Sequence, residues 1–132
     1  MPEPVIDPLL SAAIRRAKRL LEMHGDFYPF GIAEYPNGKM GDYSARDTTK
    51  QDMIDLLVFG LSESAKQGEI VGVVVVVSGD LKIDGVPADG FVVQLERINS
   101  EPTDYYVVYE KEGENVTIVE FISKPGKRKI FS

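Results

Sequence analysis

The chain has one histidine, His24, which begins a segment, residues 24–31, that also contains a carboxylate and three aromatic side chains. Imidazole exchanges protons readily near neutral pH, so His24 is the first candidate for acid–base chemistry. Tyr28 and Phe30 would line a small-molecule pocket beside it. The alternative is a packed corner, because helical spacing places His24 in an apolar stripe and aromatics beside glycine and proline commonly fill such corners.

Glutamates on predicted strands are the second candidate for chemistry. Glu34 or Glu96 would act as acid or base beside His24, because hydrolases such as glycosidases use carboxylates held at a set separation. Sequence does not set that separation, and the solvated face of an antiparallel strand commonly carries such residues. A small-ligand-binding or hydrolytic domain using residues 24–31 is therefore one of two functional hypotheses.

Composition and motifs exclude several other chemistries. The chain has no cysteine, which excludes disulfides and thiolate sites, and one histidine rules out paired-histidine zinc motifs. Residues 80–85 resemble the start of a calcium loop, but Lys82 occupies a ligand position and Phe91 stands where a glutamate is needed. Phosphate-binding loops, dinucleotide fingerprints and serine-nucleophile elbows are missing. We therefore predict no metal and no cofactor, and favour a non-catalytic protein over an enzyme.

Apolar residues at surface positions are candidates for contact with another protein. Leu56 and Phe59 lie off the apolar arc of the second predicted helix, while Tyr105, Tyr106 and Tyr109 occupy both faces of one predicted strand. Aromatic side chains are enriched in interfaces because they bury a large area. They also suit a sheet covered on both sides, so core and contact surface remain alternatives. An exposed outer strand would add unpaired backbone groups for dimerisation.

Length and composition indicate one soluble domain spanning residues 1–132. Hydrophobic residues make up 43% and charged residues 27% of the chain, which is ordinary globular composition. The net charge is −6; residues 26–123 contain 7 Lys and Arg against 18 Asp and Glu, whereas residues 124–132 form a basic tail. Because an acidic body opposes contact with phosphates, the sequence argues against nucleic acid and favours a protein partner or a homodimer.

Two helices are predicted. Asp7 and Pro8 suit a capped first turn, and Gly25 suits the end of the helix. Its apolar stripe comprises Leu9, Leu10, Ala13, Ile14, Ala17, Leu20 and Leu21. Its bases are expected to face water: Arg15, Arg16, Lys18 and Arg19. The second helix is predicted over residues 46–66, with Thr48 and Gln51 at capping-box spacing.

The remaining chain predicts strands. Extended runs cover residues 27–35, 39–43, 69–78, 90–98, 105–110 and 115–123. Asn37-Gly38 is typical of a hairpin turn, and residues 84–87 are predicted as a loop. Consecutive strands joined by short turns form antiparallel sheets. The predicted fold is α+β, a mainly antiparallel sheet of about six strands packed with two helices in the order α-β-β-α-β-β-β-β.

No segment predicts export or a membrane span. Residues 1–4 lack the basic stretch and apolar run of a signal peptide. The longest apolar run, residues 70–77, is rich in β-branched residues and interrupted by Gly72, which suits a buried strand. Together with the absence of cysteine, these features lead us to expect a cytoplasmic protein.

Short motifs over most of the chain resemble a family of small bacterial proteins that carry an HGxFxPFG motif. They are His24-Gly25, Phe27, Pro29-Phe30-Gly31, Gly68-Glu69-Ile70, Leu95-Glu96 and Ile130-Phe131. That family has no assigned reaction, so the resemblance implies a bacterial cytosolic origin and no catalytic residues. Ile130 and Phe131 are the residues that would dock the basic tail on the body.

The leading functional hypothesis is a non-catalytic protein-binding domain, as in adaptor or immunity proteins. It rests on the acidic body, the aromatic residues outside the helical arc and the missing catalytic motifs. The comparison with immunity proteins is an analogy of size and acidity.

Overall fold

The computed structural model describes residues 7–131, so the N-terminal residues considered above and Ser132 lie outside the described part of the chain. Two helices and a six-stranded antiparallel sheet form the fold, which confirms the predicted α+β class and element order. The elements are α1 (Pro8–His24), β1 (Phe30–Glu34), β2 (Met40–Ser44), α2 (Lys50–Lys66), β3 (Gly72–Ile83), β4 (Val86–Arg97), β5 (Thr103–Glu112) and β6 (Asn115–Pro125).

Helix α1 has the predicted start and end. The Asp7 side chain caps it by accepting a hydrogen bond from the Leu9 backbone N–H at 2.8 Å. Gly25 ends it with φ of 79°, a left-handed conformation that favours glycine, and donates its N–H to the Leu21 carbonyl. The buried stripe of the helix is Leu9, Leu10, Ala13, Ala17 and Leu21.

Helix α2 begins four residues later than predicted, at Lys50 rather than Arg46. Its cap is Thr49, whose hydroxyl accepts from the Asp52 N–H at 3.0 Å, and not Thr48. The Thr48 N–H is instead bonded to the Asp47 side chain, which holds this residue in the preceding loop. Within residues 7–131, neither helix combines the length and apolar content needed to cross a bilayer.

Strands β3 and β4 form a longer hairpin than predicted. They pair over twelve positions, and Asp84 and Gly85 alone connect them, with φ of 51° and 80°. Two consecutive residues with positive φ make the tight turn that matches strand twist. The predicted loop over residues 84–87 is therefore wrong in its second half, because Val86 and Pro87 continue the ladder opposite Ile83 and Lys82.

The strand order β2-β1-β3-β4-β5-β6 places β3 and β4 at the centre of the sheet. Side chains alternate between two faces, which we call the α1 face and the α2 face after the helix that covers each. The core on the α1 face includes Phe30, Ile32, Val74, Val76, Phe91, Val93 and Val107. The core on the α2 face includes Ala33, Leu61, Ile70, Val73, Val75 and Ile130.

The C-terminal segment lies on the α2 face. Ile130 is 3% exposed and belongs to its core, and Phe131 packs beside it. The buried carboxylate of Glu96 accepts hydrogen bonds from the backbone N–H groups of Lys129 at 2.8 Å and Ile130 at 3.0 Å. The Ser62 hydroxyl donates to the Lys129 carbonyl. Side-chain burial and backbone hydrogen bonds thus hold this end of the chain together.

An ion-pair network ties the start of α1 to the sheet. Arg97 on β4 donates two hydrogen bonds to Asp7, at 2.6 and 2.7 Å, and one to Glu34 on β1, at 3.2 Å. Burial by itself would raise the pKa of Asp7, but hydrogen bonds from Arg97 and Leu9 outweigh it and lower that pKa below 3.8. Asp7 therefore serves as both helix cap and ion-pair partner.

We expect Asp7→Asn to lower the free energy of unfolding by roughly 1–2 kcal/mol at pH 7, since asparagine keeps the cap but loses the charge facing Arg97. A depressed carboxyl pKa stabilises the fold above the unfolded value and is lost as the pH falls through the folded value. The difference from wild type should therefore shrink below about pH 4. Urea unfolding at pH 7 and pH 3 measures it. Exposed Glu101→Gln is the control, and a pH-independent difference would contradict the assignment.

We expect Glu96→Ala to destabilise the protein by roughly 1–3 kcal/mol, because two backbone N–H groups lose their buried acceptor. The Lys129 and Ile130 amides should also exchange hydrogen faster. The matched control is Glu110→Ala, which removes an exposed strand glutamate and should change stability by less than about 0.5 kcal/mol. Equal effects of the two substitutions would show that Glu96 does not anchor the C-terminal segment.

Candidate functional site

A cleft of about 790 Å³ lies beside the segment that joins α1 to β1. Its walls come from four places in the chain: the second half of α1, residues 26–30, the end of β2 with the loop that follows, and the first turn of α2. Both helices and the edge hairpin of the sheet therefore contribute side chains. The volume lies in the range of small-molecule sites in proteins, roughly 300–1,000 Å³.

The segment between α1 and β1 is packed on one side and open on the other. Phe27 and Phe30 are buried, and their ring centroids lie 5.4 Å apart in an edge-to-face arrangement. Phe27 also contacts Phe91 in the core of the α1 face. Tyr28, between them, is 72% exposed and lines the cleft. The alternation of an extended chain thus anchors the segment through Phe27 and leaves Tyr28 exposed in the cleft.

His24 is exposed and lines the cleft, so the packed alternative is wrong for this residue. The buried stripe of α1 ends at Leu21, and the chain turns away at Gly25, so the last helical turn projects beyond the core. Within residues 7–131 the imidazole forms no hydrogen bond. It is therefore available to a ligand and has no side chain to orient it as a general base.

Arg16 contributes a stacked guanidinium to the cleft wall. Its guanidinium carbon lies 5.0 Å from the centre of the Phe30 ring, and its Nη1 donates to Asp42 at 2.8 Å. Its Nε is buried and has no hydrogen-bond partner among the described residues. The expectation that Arg16 faces water holds only in part: 39% of its side chain is exposed, and the rest lies across the aromatic end of β1.

Two further cations, Arg46 and Lys50, line the cleft from the β2–α2 side. Lys50 donates its ammonium to the Ser78 carbonyl at 2.9 Å, and Arg46 forms no hydrogen bond or ion pair within residues 7–131. Neither cation has a carboxylate partner in that part of the chain. Asp26 is the one carboxylate in the cleft wall. Cations therefore predominate here, although the protein as a whole has a net charge of −6.

Glu34 and Glu96 do not line this cleft. Glu34 pairs with Arg97 at the far end of β1, and Glu96 holds the C-terminal segment. The strand register puts the two glutamates on opposite faces of the sheet, because Arg97, next to Glu96 in β4, shares a face with Glu34. The structure thus separates both carboxylates from His24, and the acid–base grouping predicted from the sequence is not formed.

The candidate contact residues divide between surface and core. Leu56 and Phe59 project from α2, with 46% and 66% of their surfaces exposed. Tyr105 and Tyr109 pack against the core of the α1 face and are partly buried. Tyr106 points to the α2 face, where the ammonium of Lys124 lies 5.2 Å from its ring centre. Only the α2 pair is a protruding apolar surface of the kind predicted.

The sequence pattern identified His24, Tyr28 and Phe30 as pocket residues but missed the cations. Arg46 and Lys50 follow β2 closely along the chain, and only the pairing of β1 with β2 brings them beside residues 26–30. Two basic residues shortly after a predicted hairpin in an acidic chain were the available signal.

The cleft offers aromatic surface, unpaired positive charge and one imidazole, which together suit an anionic ligand with a flat apolar part. Within residues 7–131, His, Cys, Asp and Glu side chains form no group of three or more that could hold a metal ion. No protein-family model, curated protein or solved structure matches this chain.

Proposed function

We propose that this protein binds a small organic anion with an aromatic or otherwise flat apolar part in the cleft beside His24. The observation that carries the proposal is the pair of cations without carboxylate partners among the described residues, Arg46 and Lys50, which line the same cleft of about 790 Å³ as exposed Tyr28. A cation cluster in an acidic protein attracts anions to one place and leaves the rest of the surface unfavourable to them.

Each wall of the cleft has a separate role in this proposal. Arg46 and Lys50 bind the anionic group through charge-assisted hydrogen bonds. The ring of Tyr28 and the stacked Arg16 guanidinium hold the flat part. His24 adds a hydrogen-bond donor or acceptor to the cleft wall.

Binding without catalysis accounts for these residues best. Within residues 7–131 no side chain is hydrogen-bonded to His24 to orient it, and the strand glutamates lie elsewhere. For the setting of the protein we keep the sequence-based proposal, a bacterial cytoplasmic protein of the family with the HGxFxPFG motif, supported by the absence of cysteine.

We expect 1-naphthyl phosphate to bind and raise the melting temperature, whereas uncharged 1-naphthol binds much more weakly. Arg46→Ala should weaken the phosphate by roughly tenfold or more, because a charge-assisted hydrogen bond is lost. Lys66→Ala, a lysine at the other end of α2, is the matched control and should bind as wild type. Calorimetric titration measures the affinities. Equal affinity for phosphate and naphthol, or an unaffected Arg46→Ala variant, would contradict the proposal.

A protein partner is the second candidate function, favoured by the apolar pair Leu56 and Phe59 on the outer side of α2. The flanking residues Asp52 and Asp55 make the rim of this patch acidic, whereas Glu63 is paired with Lys66. An apolar centre with an acidic rim suits a partner with a basic surface, as an adaptor or immunity-type protein would need.

We expect Phe59→Ser to abolish capture of such a partner from host lysate while leaving the melting temperature unchanged, because the ring is largely exposed. Val86→Ser, which changes another exposed apolar side chain far from α2 in sequence, is the control and should retain the partner. Identical capture by wild type and both variants would exclude this patch as the contact surface.

A further inference from the structure

The two edges of the sheet differ in length. Strand β2 forms one edge with five residues, and β6 forms the other with eleven. The outer side of an edge strand carries backbone N–H and C=O groups that lack strand partners, and long edges favour pairing with another chain. Within β6, Lys124 and Pro125 at its end are residue types that discourage such pairing, the register with β5 shifts beside Val119, and the Val116 N–H is bonded to Glu22 of α1.

A row of half-buried side chains crosses the α2 face and ends at this edge. Val77, Val92, Tyr106 and Ile122 lie directly opposite one another on β3, β4, β5 and β6. Helix α2 packs on β1, β2 and β3, so the outer part of the row lies beyond it. Val92, Tyr106 and Ile122 belong to neither core cluster. Part of the apolar surface of these three side chains is therefore accessible to another protein chain.

The charges of β6 are arranged symmetrically about Ile122. Glu120 and Lys124 are the charged residues of this strand, each two positions from Ile122 and on the same face. In an antiparallel pairing with a second β6, centred on Ile122, each Glu120 lies opposite the Lys124 of the other copy. The strand is thus self-complementary and has no net charge, in a protein whose net charge is −6.

We propose that two copies of this chain associate through β6 about a twofold axis at Ile122. The register that pairs the charges also joins the two apolar rows end to end, so that Ile122 meets Ile122 between the Tyr106 rings. The two six-stranded sheets become one continuous sheet. An isologous contact of this kind closes on itself and stops at the dimer. No residue of β6 lines the cleft, so both clefts stay open.

Sedimentation velocity over about 1 to 300 µM protein tests this association. Wild type should form dimers within that range. Glu120→Lys and Lys124→Glu should each weaken dimerisation by roughly tenfold or more, because two attractive cross-strand pairs become repulsive. The double variant should restore it. Glu114→Lys, which changes the same charge in the turn before β6, is the control.

All variants alter exposed positions, but Lys124→Glu also removes the contact with the Tyr106 ring and places a second carboxylate opposite Asp104. Urea unfolding of each variant therefore accompanies the test. Because the double variant contains both changes, a restored dimer separates association from stability. A wild type that stays monomeric at about 300 µM would overturn the proposal. The β6 edge would then be available for pairing with a strand of a different protein. A dimer affinity that neither single charge reversal changes would also overturn it. The same holds for a double variant that dimerises no more tightly than the single variants. Ligand binding in the cleft is measured separately, so failure of one proposal does not affect the other.

Discussion

The fold depends on burying the valine run Val73–Val76 of β3 on both sides of the sheet at once. All four side chains are at most 2% exposed. Because neighbouring residues of a strand point to opposite faces, Val74 and Val76 require cover on one side, and Val73 and Val75 on the other. Helix α1 provides the first cover, and α2 with the C-terminal segment provides the second. With two helices available for six strands, the outer strands are left with partly open faces.

Charge is used in two different ways in this protein. Near the cores, the carboxylates of Asp7, Glu34 and Glu96 are bound by Arg97 or by backbone N–H groups, so their charge is compensated and they hold elements in place. Around the cleft the balance is reversed, because Arg46 and Lys50 have no carboxylate partner among the described residues. Compensated charges resist rearrangement, whereas uncompensated ones attract ligands. The carboxylates near the cores therefore have a structural role, and the cations of the cleft are the groups available for binding.

Most of the fold could be predicted from sequence because its signals are local. The cap at Asp7, the stop at Gly25 and the Asn37-Gly38 turn act on residues next to them in the chain, and all lie where predicted. The errors are also local in origin. Thr48 and Thr49 are equally suitable caps by type, so the start of α2 could not be decided from the pattern alone.

The sequence by itself determined the α+β class, the element order and the aromatic segment after α1, because hydrophobic periodicity and turn-forming residues depend only on residues close together in the chain. Only the tertiary structure decided that His24 is exposed, that Glu34 and Glu96 are anchors and that Arg46 and Lys50 line one cleft with Tyr28. Strand order and the path of each helix across the sheet determine these side-chain positions. Strand order and helix path depend in turn on which apolar surfaces must be buried together, and residues distant in the chain meet only when that burial is complete.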